Sequence, residues 1–146
     1  MRRRQFTALE RQQISERAYD CCEYCQSLAA FATQSFTIEH IWPLVKGGTN
    51  HLDNLALACP GCNAYKGDKT EAIDPFDNTL APLFNPRTQR WIEHFIWSDD
   101  YTLLFGLTAT GRATIDTLHM NRRGLVNLRE ALFLRGKHPP VHAIND

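Results

Sequence analysis

The sequence predicts an α+β fold in one domain, residues 1–146. The first observation is a strand-type run, Phe36-Thr-Ile-Glu-His-Ile-Trp42, rich in β-branched and aromatic residues. A Gly47-Gly48 loop, a second run at Asn54-Leu-Ala-Leu-Ala58 and a short helical stretch from Asn63 follow it. The centre therefore reads strand, loop, strand, helix. The second observation is a pair of C-x-x-C spacings, Cys22 with Cys25 and Cys59 with Cys62, on either side of the strands. The third is a carboxyl-terminal half with a hairpin pattern and two helical stretches.

Taken in order, residues 1–20 read as a basic arm and then a helix, with Leu9, Ile14 and Ala18 as a weak apolar stripe. Arg2, Arg3 and Arg4 read equally as phosphate contacts or as a solvated terminus. Residues 28–35 are a small-residue connection. Pro43 ends the first strand, Gly67 stops the central helix, and residues 70–90 read as a long surface loop rich in Pro, Asp and Asn. Trp91–Trp97 and Tyr101–Gly106 are expected as strands of a hairpin around Ser98-Asp-Asp. A helix is expected from Thr110, with Thr110 as its cap, and a longer one with Asn121 as its cap. Leu125, Leu128, Leu132 and Phe133 share one face of the latter, and Gly136 and Pro139-Pro140 end it. The unit at about 17–69 is the core, and about 70–146 is an accessory packed on it.

Composition bounds the function. The 43% apolar and 22% charged fractions are ordinary for a globular chain. Sixteen basic residues balance sixteen acidic ones, which argues against coating nucleic acid by bulk charge but leaves room for a local basic face. The sequence contains neither an apolar run of membrane-spanning length nor a signal-peptide core, so a soluble cytoplasmic protein is expected. The cysteine spacing favours metal ligation over disulfides. Cys22, Cys25, Cys59 and Cys62 form the expected structural Zn2+ site, with Cys21 as an alternative to Cys22 through a C-x3-C spacing.

Four polar residues crowd the centre: Glu39, His40, Asn54 and Asn63. An imidazole that titrates near neutral pH suits a general base. A carboxylate plus an amide oxygen suits Mg2+ or Mn2+. Glu39 and His40 are neighbours on a strand, so their side chains point to opposite faces unless the pair sits at a strand end or twist. Lys66 reads as a phosphate contact or as a solvated helix end. Trp42, Trp91 and Trp97 read as core more than as base-stacking residues. His51, His94, His119, His138 and His142 have no comparable context.

The pattern Cys22-x2-Cys25, Glu39-His40-Ile41, Pro43, Gly47-Gly48, Asp53-Asn54-Leu55, Cys59-x2-Cys62-Asn63, Lys66-Gly67 resembles the HNH endonuclease family. More narrowly, it resembles the four-cysteine branch of small stand-alone proteins with a His-Asn-Asn signature. The resemblance covers roughly residues 17–69. The tail segments FNPR, GRATI and NRR match less specifically. The resemblance implies a ββα-metal (His-Me finger) core with zinc knuckles that hydrolyses phosphodiester bonds in DNA, chiefly double-stranded. It implies His40 as base, Asn54 as the residue that fixes the His40 loop, and Glu39 and Asn63 as ligands of a catalytic Mg2+ or Mn2+. Glu39 departs from the commoner Asp or His before the signature histidine. Arg2, Arg3, Arg4, Lys66, Arg122 and Arg123, with Arg129, are the expected nucleic-acid contacts. The competing function is a zinc-stabilised module that binds nucleic acid without cutting it. Oligomeric state and target sequence are not legible.

Overall fold

The computed structural model describes residues 4–142. It is an α+β arrangement of helices and three small antiparallel two-stranded sheets. Helix α1, Ala8–Arg17, opens with a capping box. The Thr7 hydroxyl accepts from the Glu10 N–H at 3.1 Å, and the Glu10 carboxylate accepts from the Thr7 N–H at 3.0 Å.

Strand β1, Thr37–His40, pairs antiparallel with β2, Leu55–Ala58, in the register Ile38 with Leu57 and His40 with Leu55. The period of two in a strand explains why both faces of this hairpin are buried. Leu55 and Leu57, with Ile38, pack on Ile14 of α1, on Ala18 just after it and on Phe6. Ala56 and Ala58 face the other way, toward Tyr24 and the cysteines. Small residues on that second face leave space for the metal-type cluster. Helix α2, Pro60–Lys66, follows directly, with proline at its first position, where a missing N–H costs nothing, and Gly67 at φ +54° after it.

The remainder builds outward. Strands β3, Glu71–Ile73, and β4, Leu80–Pro82, form a hairpin inside the stretch expected as a loop. Its turn is held by Asp74, which is buried and accepts two bonds from the Arg112 guanidinium, at 3.0 and 2.9 Å. Of the expected strand at 91–97, residues Trp91–Glu93 form a 3-10 turn and only β5, Phe95–Trp97, is extended. It pairs with β6, Leu104–Gly106, as the expected hairpin. Helix α3 spans Ala109–Thr117, and its cap is Thr108 in place of the expected Thr110. Helix α4 spans Arg123–Leu134. Asn121 does not cap it; its amide instead clamps the Leu104 N–H and C=O at 2.8 Å each. No helix among the described residues is long and apolar enough to cross a membrane.

Candidate metal centre and active site

The two C-x-x-C turns meet. The sulfurs of Cys22, Cys25, Cys59 and Cys62 all lie within 4.8 Å of one another, and all four residues are buried. A tetrahedral site with Zn–S near 2.3 Å has sulfur–sulfur edges of about 3.8 Å; Cys25 and Cys59 are 3.7 Å apart. The group fits Zn2+ in donor type, number and spacing. Cys21, though buried, lies outside the cluster, with its thiol on the Tyr19 carbonyl at 3.4 Å. Hydrogen bonds from Cys22, then from Cys25 and Cys62, hold Cys59 well below the ordinary thiol range. Arg122 lies over the cluster, with its guanidinium 3.4 Å from the Cys59 sulfur and 3.8 Å from that of Cys62. Four thiolates around Zn2+ leave a formal charge of 2 − 4 = −2, and Arg122 offsets part of it.

On the hairpin, Glu39 and His40 point to opposite faces, as neighbouring strand residues do. Glu39 faces α2, is 3% exposed, and accepts from the Tyr24 hydroxyl at 2.7 Å. It is ion-paired to the Lys66 ammonium. That ammonium also donates to the carbonyls of His40, at 3.3 Å, and Ile41, at 3.0 Å. Asn63 is half-buried on the same face of α2, one turn before Lys66. His40, the last residue of β1, lies on the other face beside Phe6, with its Nε2 2.8 Å from the Asn50 side-chain oxygen.

The loop after β1 is closed by Asn54. Its side-chain oxygen accepts from the Trp42 N–H at 2.8 Å, and its amide donates to the carbonyls of Trp42, at 3.0 Å, and Thr49, at 2.8 Å. Gly48 allows that closure, since a Cβ there would sit 1.8 Å from the Trp42 carbonyl oxygen.

A family model described as HNH endonuclease matches residues 22–69. That segment is an HNH endonuclease domain. Comparison with curated proteins and with solved structures finds no match.

Several residues expected to bind nucleic acid have other partners around this HNH domain. Lys66 is 1% exposed, with its ammonium ion-paired to Glu39 and bonded to the end of β1. Arg122 is engaged by the sulfur cluster. Arg129 is also buried, donating to the carbonyls of Thr102, at 2.9 Å, and Met120, at 2.6 Å. Arg4 is exposed and paired with Glu10 at 2.7 Å, and Arg123 is exposed at the start of α4. Arg2 and Arg3 lie outside the described residues. Trp91 is core and Trp97 half-buried, whereas Trp42, expected as core, is 50% exposed beside the HNH loop. Asn50 was missed from sequence. Its signal is slight: an amide two residues after Gly48, in a loop that turns back toward His40.

The oxygen donors of Glu39 and Asn63 are of the kind Mg2+ or Mn2+ takes. As arranged, they do not fit a divalent ion, because the Lys66 ammonium already neutralises the Glu39 carboxylate. A cation at Glu39 has to displace Lys66.

Proposed function

We propose that this chain is an endonuclease that hydrolyses phosphodiester bonds in DNA, with His40 as general base in a ββα-metal core. The observation that carries the proposal is the HNH loop. Asn54 ties its two ends, and Asn50 within it reaches back to His40. In this reading the Asn50 amide oxygen, 2.8 Å from Nε2, accepts the Nε2 proton, and Nδ1 is then the basic nitrogen. In this reading Nδ1 takes a proton from water as the water oxygen bonds to phosphorus and the P–O bond to the leaving oxygen breaks. Asn50 and Asn54 hold ring and loop in place, which lowers the cost of orienting the base.

The sulfur cluster anchors the start of α2 and the knuckle before β1, keeping the hairpin and helix in register. The whole chain, 1–146, acts as one nuclease unit, with residues 17–69 as its core, and works in the cytoplasm, where thiols stay reduced. Trp42, Arg4 and Arg123 supply exposed surface for duplex DNA. Glu39 and Asn63 would hold Mg2+ or Mn2+ only with Lys66 displaced, and they lie on the face of β1 opposite His40, so no step of the proposed hydrolysis is routed through that ion.

One observation favours a second reading, a zinc-stabilised nucleic-acid-binding module: the carboxylate expected to bind metal is used in a buried ion pair. Nicking of supercoiled plasmid across a divalent-metal series, for the wild type and His40→Ala at equal zinc content, separates the two. The nuclease reading expects nicking that disappears in His40→Ala. Retained nicking in that variant removes His40 as base, and salt-sensitive DNA binding without any nicking leaves the binding module.

A further inference from the structure

A cavity of about 240 Å³ opens where the HNH segment meets the chain beyond β4. Trp42 and Lys66 line it from the HNH segment, and Pro82, Leu83, Asn85 and Gln89 from the later chain. That volume falls below the roughly 300–1,000 Å³ of sites for drug-sized ligands and suits one small ring system. Among the described residues that line it, Lys66 alone is charged, and its ammonium is paired with Glu39. The cavity therefore offers little to an anion and suits a neutral guest.

Trp42 follows His40 by two residues and is half-exposed, yet it is held in place. Its indole N–H donates to the Lys46 carbonyl at 2.9 Å, and Asn54 binds both its backbone N–H and its carbonyl. An aromatic side chain fixed without being buried has little further freedom to lose when a guest packs on it. The facing wall is a tight turn. The Asn85 side-chain oxygen accepts from the Arg87 N–H at 2.9 Å, and the Gln89 side-chain oxygen accepts from the Asn85 N–H at 2.9 Å. Both oxygens are used inside the turn, which leaves the NH2 group of each amide as the donor that a guest can meet.

We propose that this cavity takes one nucleobase, unpaired or turned out of the helix, from the DNA strand whose backbone meets His40. The inference rests on the reading of the chain as a protein that acts on DNA. A base is neutral and planar, with a π-face for Trp42 and edge acceptors for the amides of Asn85 and Gln89. A base inside a duplex has both faces stacked and its pairing edge occupied, so entry costs least where the base is already unpaired. The substrate class that follows is DNA with an unpaired base beside the bond to be cut.

The experiment uses the full-length His40→Ala protein loaded with zinc, so that no probe is cut. Fluorescence anisotropy compares three labelled duplexes: fully paired, with one bulged base, and with an abasic bulge at the same place. The bulged base is expected to bind about tenfold tighter than the abasic bulge, the gain of one base–aromatic stack. The abasic probe separates recognition of a base from a preference for flexible DNA. Trp42→Leu removes the stacking face. Gln89→Glu keeps the oxygen that the turn uses and loses the NH2 donor. Each, made in the His40→Ala protein and checked for zinc content and thermal unfolding, should lower the ratio about threefold or more. Equal affinity for the bulged base and the abasic bulge, or a ratio that either variant leaves unchanged, overturns the proposal and leaves DNA binding standing. Failure to bind any of the three duplexes overturns the DNA reading, and this inference with it.

Discussion

Substituting Lys66 by Met keeps most of the side-chain volume and removes the charge. Three acceptors then lose a donor: the Glu39 carboxylate and the carbonyls of His40 and Ile41. The two side chains are 2% and 3% exposed, so water does not replace the ammonium. Removing one partner of a buried pair costs about 3–5 kcal/mol, because the other charge stays buried without compensation. The Tyr24 hydroxyl at 2.7 Å softens this only partly. At roughly 3 °C per kcal/mol for a chain of this length, the expected fall in Tm is about 9–15 °C. Urea denaturation gives the free energy directly. Glu39→Gln combined with Lys66→Met should recover most of the loss, since the orphaned charge is gone. Adding Mn2+ to the Lys66→Met protein provides a second readout. If Glu39 and Asn63 are metal ligands, the ion enters the place of the ammonium and raises the Tm of this variant more than that of the wild type. A Lys66→Met protein within about 1 kcal/mol of the wild type would refute the buried-pair argument.

Three further outcomes are expected. Asn50→Ala should lower kcat with KM nearly unchanged, and 15N NMR should show His40 shifting from the Nε2–H tautomer to a mixture; an unchanged tautomer signature removes Asn50 from the mechanism. Arg122→Gln should weaken zinc about 10–100-fold in competition with a chromophoric chelator, at one zinc per chain, because the guanidinium no longer offsets the thiolates. Burial of His138 lowers its pKa from 6.5, with Arg129 adding to the effect and the Tyr101 carbonyl at 2.8 Å opposing it. The unfolded chain therefore binds the proton more readily. Stability is fully present above pH 6.5 and is lost as pH falls through that value toward the folded pKa. His138→Gln should flatten the stability profile between pH 7.5 and 5.5 in urea titrations; an equal slope in both proteins contradicts this.

The features legible in the sequence were the local ones. C-x-x-C spacing, the Leu-Ala alternation of β2 and Gly67 after α2 are short-range signals, and each appears where its chemistry requires. The hairpin of β3 and β4 was hidden because its strands have three residues each and its inward groups are Asp74 and Ala81, not an apolar stripe. Asp74 becomes a core residue only through Arg112, far along the chain. Lys66 looked solvated for the same reason: its partner Glu39 lies on another element, and no pattern in α2 announces it. Thr108 and Thr110 are equally good caps by composition, and the Thr108 hydroxyl, which accepts from the Gly111 N–H at 3.0 Å, decided between them. Asn121 was drawn from capping to clamping β6, a choice set by tertiary packing.

A Cβ at Gly61 would lie 2.5 Å from the Arg122 guanidinium, which would have to shift to admit it. That guanidinium comes from the carboxyl-terminal half, yet it lies against the sulfurs of the HNH segment. Trp91 likewise donates to the Tyr24 carbonyl at 2.8 Å. A transplant of residues 22–69 into another host would arrive without either group. The smallest portable version of this protein therefore extends at least through Arg122.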